Sequence, residues 1–85
     1  MRKAYPAIIA KGATQFVSYI PDFDIGTQGE TIAEAIEMSR DAIAMVGICY
    51  SEKGQSLPEP SDYFEVECKP NEIKTLIDVD FKKED

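Results

Sequence analysis

The sequence predicts an α+β fold in which one long helix packs on an antiparallel sheet of roughly three to five strands, in the order β-β-(β)-α-β-β. Three observations predict it. Runs rich in β-branched and aromatic residues occupy both ends of the chain, at residues 5–20 and 63–81. Between them, a marked helix start at Thr31 opens an apolar pattern of helical period. Finally, 85 residues without internal repeat or long linker indicate one domain, over residues 1–81, followed by a charged tail at residues 82–85.

The first two strands read as a hairpin. Tyr5-Pro6-Ala7-Ile8-Ile9-Ala10 leads to a turn at Lys11-Gly12-Ala13, and Thr14 to Ile20 returns. Pro6 lacks a ladder donor, which requires an open position or a bulge near the start of the first strand. Pro21 ends the second strand. Residues 21–31 hold two glycines and several turn formers, with room for a short third strand around Ile25 to Gln28.

Thr31 is placed as N-cap, with Glu34 three residues on as its capping-box partner. The apolar face combines Ile32, Ala35, Ile36, Ala42, Ile43, Val46 and Tyr50 with an adjoining strip of Met38, Met45 and Cys49, expected as core filler. Gly54 and Pro58 stop the helix near residue 53. The Pro-stiffened connector Ser56 to Ser61 follows. Alternation then predicts one strand over Tyr63 to Lys69 and another over Lys74 to Phe81. Of the aromatics, Tyr5 and Tyr63 are expected to be partly exposed.

Composition narrows the function. Sixteen acids against nine bases give a charge of -7, the wrong sign for a protein that neutralises phosphates, so nucleic acid is not an expected partner and a basic protein is. No histidine is present, which removes the usual general base and the commonest metal ligand. The expectation is no catalytic activity, no metal and no cofactor. Cys49 and Cys68 form no metal or redox motif; they are expected as reduced, partly buried thiols, though spacing alone leaves a disulfide between them open. The apolar run Ala7 to Ala10 is too short for a signal peptide or a membrane span, and a cytoplasmic location is expected.

Asp22, Asp24 and Glu30 share one loop and are the acids placed to face a basic partner, although turn formation and helix capping also account for them. Asp78 and Asp80 lie on one strand face, where outward alternation explains them as well as a metal pair does. Gly26-Thr27-Gln28-Gly29 before a helix matches neither phosphate-binding fingerprint.

The ordered set Tyr5-Pro6-Ala7-Ile8-Ile9, Pro21-Asp22-Phe23, Thr27-Gln28-Gly29-Glu30-Thr31 running into Ala33-Glu34-Ala35-Ile36, Asp41-Ala42-Ile43 and Leu57-Pro58-Glu59-Pro60-Ser61 resembles the HicB-like antitoxin family. The resemblance runs across residues 5–81. It implies a partial RNase H-like fold that binds and inactivates a small, basic, RNA-cleaving toxin of HicA type. Its motif positions here are Tyr5, Pro6, Pro21, Asp22, Thr27, Gly29, Thr31, Glu34, Ala35, Pro58, Pro60 and Ser61. Two departures bear on function. Phe23-Asp24-Ile25-Gly26 replaces the family's Leu-Pro-Gly-Cys loop, and the C-terminal DNA-binding domain common in the family is not among these residues, so operator binding is not expected. A homodimer or higher even assembly is expected, because a short sheet with open edges gains stability by pairing. The alternative is a standalone oligomeric interaction module without a toxin; a metal-dependent nuclease built on Asp22, Asp24, Asp78 or Asp80 has no supporting constellation.

Overall fold

The computed structural model describes residues 1–81; the tail expected at residues 82–85 lies outside the described residues. Four strands and one helix follow in order: β1 (Arg2–Lys11), β2 (Phe16–Ile20), β3 (Ile25–Gly29), α1 (Ile32–Glu52) and β4 (Ile73–Asp80). The sheet order is β3-β2-β1-β4, and every pairing is antiparallel. The α+β class, the single helix and the optional third strand are therefore as the sequence predicts.

β1 is long because it serves two neighbours. Its residues Arg2 to Ile9 pair with β4, and Ile8 to Lys11 pair with β2. Pro6 pairs opposite Leu76 but lies before the β2 ladder begins at Ile8, so one side is open where a residue without N–H is tolerated. Alternation along the strands sends Tyr5, Ala7, Ile9, Ser18, Ile20, Ile77 and Val79 to one buried face.

The helix covers that face. Thr31 is extended and its hydroxyl accepts from the Glu34 N–H at 3.0 Å, while the Glu34 carboxylate accepts from the Glu30 N–H at 2.9 Å. One orphan donor of the first turn, the Glu34 N–H, is thus satisfied, and the Glu34 side chain reaches back to the residue before the cap rather than to the N–H of Thr31 itself. At the other end Lys53 caps the helix and Gly54 takes φ 67, as a glycine readily does.

The buried row of α1 is Ala35, Ser39, Ile43 and Gly47, four residues apart and mostly small. Small side chains let the helix backbone approach the sheet closely. A Cβ built on Gly29 falls 2.5 Å from the Ala35 nitrogen, so only glycine fits there. This packing displaces the expected methionine strip: Met38 and Met45 are 46% and 70% exposed, not core filler, and Ile32 and Cys49 are also exposed. Ile43 and Ile77 close the core with Tyr5, Ala7, Ile20 and Val79, each large aliphatic contributing about 1.5–3 kcal/mol by burial.

Tyr5 is fully buried, contrary to the sequence expectation. Its ring meets Phe23 edge-on at 4.7 Å and Phe81 at 6.4 Å, and its hydroxyl donates to the Pro58 carbonyl at 2.8 Å. The ring fills the core while the hydroxyl finds the connector.

The strand expected over Tyr63 to Lys69 does not form. Asp62 nucleates a turn instead: its carbonyl accepts from the N–H groups of Glu65 and Val66, and its side chain accepts from Phe64 N–H at 2.9 Å. With Asp62 holding the Phe64, Glu65 and Val66 N–H groups and Glu72 the Lys69 N–H, a ladder along this stretch is interrupted at both ends. Phe64 is consequently 87% exposed.

Candidate protein-interaction surface

The site residues read from the sequence fall at two ends of β3. Pro21 to Asp24 form the turn that enters it, and Glu30 follows its last residue. A strand of this length separates Asp24 from Glu30 by roughly 20 Å, so the three acids do not converge on a single point.

Each turn acid has a partner. The Asp22 carboxylate accepts the Ser61 N–H at 3.1 Å and the Ser61 hydroxyl at 2.5 Å. Asp24 sits at φ 53, a left-handed conformation that aspartate tolerates, and its carboxylate accepts the Tyr19 hydroxyl at 2.7 Å. That hydrogen bond raises the Tyr19 pKa, with minor help from desolvation and the Asp24 charge. Glu30 is exposed.

The motif positions of the resemblance turn out to be fold keepers. Beyond Tyr5, Asp22, Thr31 and Glu34, Thr27 lies 3.1 Å from Ser39 Oγ, itself 2.7 Å from Ser18 Oγ and 2.8 Å from the Ala35 carbonyl oxygen. Burial pushes the Tyr5 hydroxyl up to about 12, reinforced by the charges of Asp22 and Glu59 and by Tyr50. These groups hold elements together; none presents a free nucleophile.

Among the described residues, no group of three or more acids or cysteines is placed to hold a metal ion. Asp78 instead pairs with Arg2 at 2.6 Å, and Asp80 faces the N-terminal ammonium at 3.5 Å. Cys49 and Cys68 are unlinked and exposed, which corrects the expected partial burial.

What the surface offers is contact area. Val17 and Tyr19 of β2 and Leu76 of β4 are exposed on the sheet face opposite the helix, at 44%, 40% and 48%. Along α1, Met38, Met45 and Ile48 add a second apolar row. Beside the helix C-terminus an open groove of about 800 Å³ has Ala44, Gly47, Ile48, Leu57 and Phe81 as its apolar lining. The exposed methionines and the groove were not readable in advance, because their exposure follows from which row of α1 the sheet accepts.

No protein family and no curated protein matches the chain. Solved structures do. The chain is similar to a chain of the toxin-antitoxin complex from Streptococcus pneumoniae, with 24% identity and a TM-score of 0.84 over 94% of this chain and 70% of that one. It is also similar to a chain of the HicA3 and HicB3 toxin-antitoxin complex, with 24% identity and a TM-score of 0.70 over 94% of this chain and 99% of that one. The likeness defines the class of fold, an antiparallel sheet carrying one helix, which this chain shares with components of toxin-antitoxin complexes.

Proposed function

We propose that the chain is a HicB-like antitoxin domain that binds and neutralises a small, basic, RNA-cleaving toxin of HicA type in the cytoplasm. The observation that carries this reading is the fold shared with a chain of a toxin-antitoxin complex over 94% of the sequence. Charge supports it independently. A surface of -7 attracts a basic RNA-cleaving enzyme and competes with RNA phosphates for the same cationic groups. The exposed apolar residues Val17, Tyr19 and Leu76 then supply the dry contact that electrostatics alone does not.

The domain acts by occlusion. It has no histidine, and Asp78 and Asp80 of β4 are engaged in ion pairs, which supports a role in binding rather than in chemistry. Copies of the chain associate as homodimers or higher even assemblies through the exposed apolar residues of the helix and sheet face rather than by edge pairing of β3, and sedimentation at micromolar concentration is expected to show a species larger than 9.5 kDa. The test of the main reading is a search of the neighbouring reading frames for a small basic protein and its co-expression with this chain; absence of such a protein favours the standalone module. Growth arrest by that protein is relieved when this chain is present; persistent arrest with soluble chain in the cell rejects the reading.

A further inference from the structure

The two edges of the sheet are built differently. At the β4 edge, side chains take the backbone acceptors: the Tyr63 hydroxyl donates to the Lys74 carbonyl at 3.0 Å, and Arg40 Nε donates to the Asp78 carbonyl at 2.9 Å. Lys74 in turn donates to the Tyr63 and Val66 carbonyls, binding the connector to the strand. Lys74, Asp78 and Asp80 add charge along this edge. Charged residues and covering segments are how proteins keep an edge from pairing.

The β3 edge has none of these devices. Ile25-Gly26-Thr27-Gln28-Gly29 carries no charge and no proline, and β3 is the last strand of the order, with no strand beyond it among the described residues. On the outer face Gly26 pairs with Tyr19 and Gln28 with Val17, so small or flexible side chains stand between the edge and two exposed apolar residues. An added strand reaches that apolar surface over Gly26.

The ends of the open edge are acidic. Asp24 precedes β3 and Glu30 follows it, both exposed. Self-pairing of two antiparallel copies of β3 sets Asp24 of each against Glu30 of the other, a like-charge cost at both ends. A strand with a cation at each end meets the opposite sign twice. The geometry points to the β3 edge as the docking site for an extended strand of a basic protein, with Lys or Arg about six residues apart engaging Asp24 and Glu30. The edge-binding step stands on the sheet alone; that the basic protein is a toxin rests on the function proposed above.

The probe is the peptide Lys-Thr-Val-Thr-Val-Thr-Lys, with Glu-Thr-Val-Thr-Val-Thr-Glu as its charge-reversed control, each titrated into the isotope-labelled chain by NMR. The lysine peptide shifts the amides of Ile25 to Gly29 and slows their exchange, and the glutamate peptide binds at least about tenfold more weakly. Asp24→Asn combined with Glu30→Gln keeps the turn and the strand and lowers lysine-peptide affinity about tenfold at low salt, a difference that fades near ~0.5 M salt. Gln28→Lys, which places a guard charge on the strand, gives the same loss. Equal binding of both peptides, no binding of either, shifts confined to β4 or the groove, or β3 shifts that follow protein concentration alone, as self-pairing gives, overturn the proposal. Neutralisation of the toxin unaffected by these variants also rejects the edge while leaving the antitoxin reading. Lysine-peptide binding at β3 without any neutralisation upholds the edge and rejects the toxin.

Discussion

Ser61 donates both its backbone N–H and its hydroxyl to the carboxylate of Asp22, tying the turn between β2 and β3 to the connector that leaves the helix 39 residues later. The Pro-Asp of the turn and the Pro-Ser of the connector are thereby one structural unit. Asp22→Ala is expected to cost about 1–2 kcal/mol, and Ser61→Ala less, because its N–H still reaches the carboxylate. Denaturant melts of the two single variants and the double variant check this; additive losses would show that the pair does not act together.

Tyr5 couples stability to alkaline pH. Its hydroxyl ionises near 12 in the folded protein against an ordinary 10.0, so the unfolded chain loses the proton first. The contribution is intact below about pH 10 and is lost as pH rises toward 12. Tyr19 shifts in the same direction. Tyr5→Phe removes the bond to the Pro58 carbonyl, costing about 1–2 kcal/mol at neutral pH, and flattens the alkaline loss. Thermal melts of both proteins across pH 9–12 measure this; parallel curves contradict it.

Gly29 marks where the helix start presses on β3. Its missing Cβ would stand 2.5 Å from the Ala35 nitrogen and 2.8 Å from the Glu34 carbonyl carbon, and both are backbone atoms that cannot swing aside. Gly29→Ala is expected to cost at least about 3 kcal/mol. A change below about 1 kcal/mol in urea unfolding would mean the helix sits farther from the sheet.

Ser39 is buried among hydroxyls from three elements, Ser18, Thr27 and its own. Removing one member leaves the others with fewer partners, so Ser39→Ala costs about 1–2 kcal/mol by thermal melt. Ser18→Ala added to it costs less than the sum of the singles, since no orphaned Ser18 hydroxyl remains.

Much of this fold is legible in the sequence where a local signal has one physical meaning. Thr31 with Glu34 can only begin a helix, and Gly54 before Pro58 can only end one. The β1–β2 hairpin follows from its β-branched composition. Reading fails where alternation competes with side-chain hydrogen bonding: Phe64, Val66 and Cys68 alternate like a strand, yet Asp62 takes the N–H groups a ladder needs. It fails also where two helix faces compete. Met38 and Met45 are the more hydrophobic strip, but Ala35, Ser39 and Gly47 permit the closer approach, and the sheet takes the small row. Of the site acids, the sequence finds Asp24 and Glu30 by charge; that they bracket an open strand edge becomes visible only once β4 is seen to hold the other end of the sheet.

The central claim, neutralisation by stoichiometric binding, is tested most directly by RNA cleavage. A purified HicA-type toxin, taken from a neighbouring reading frame for a small basic protein, is assayed on RNA while the chain is titrated in. The account predicts that cleavage falls in proportion to added chain and stops near one equivalent per toxin. Undiminished cleavage at a large molar excess of folded chain would contradict it.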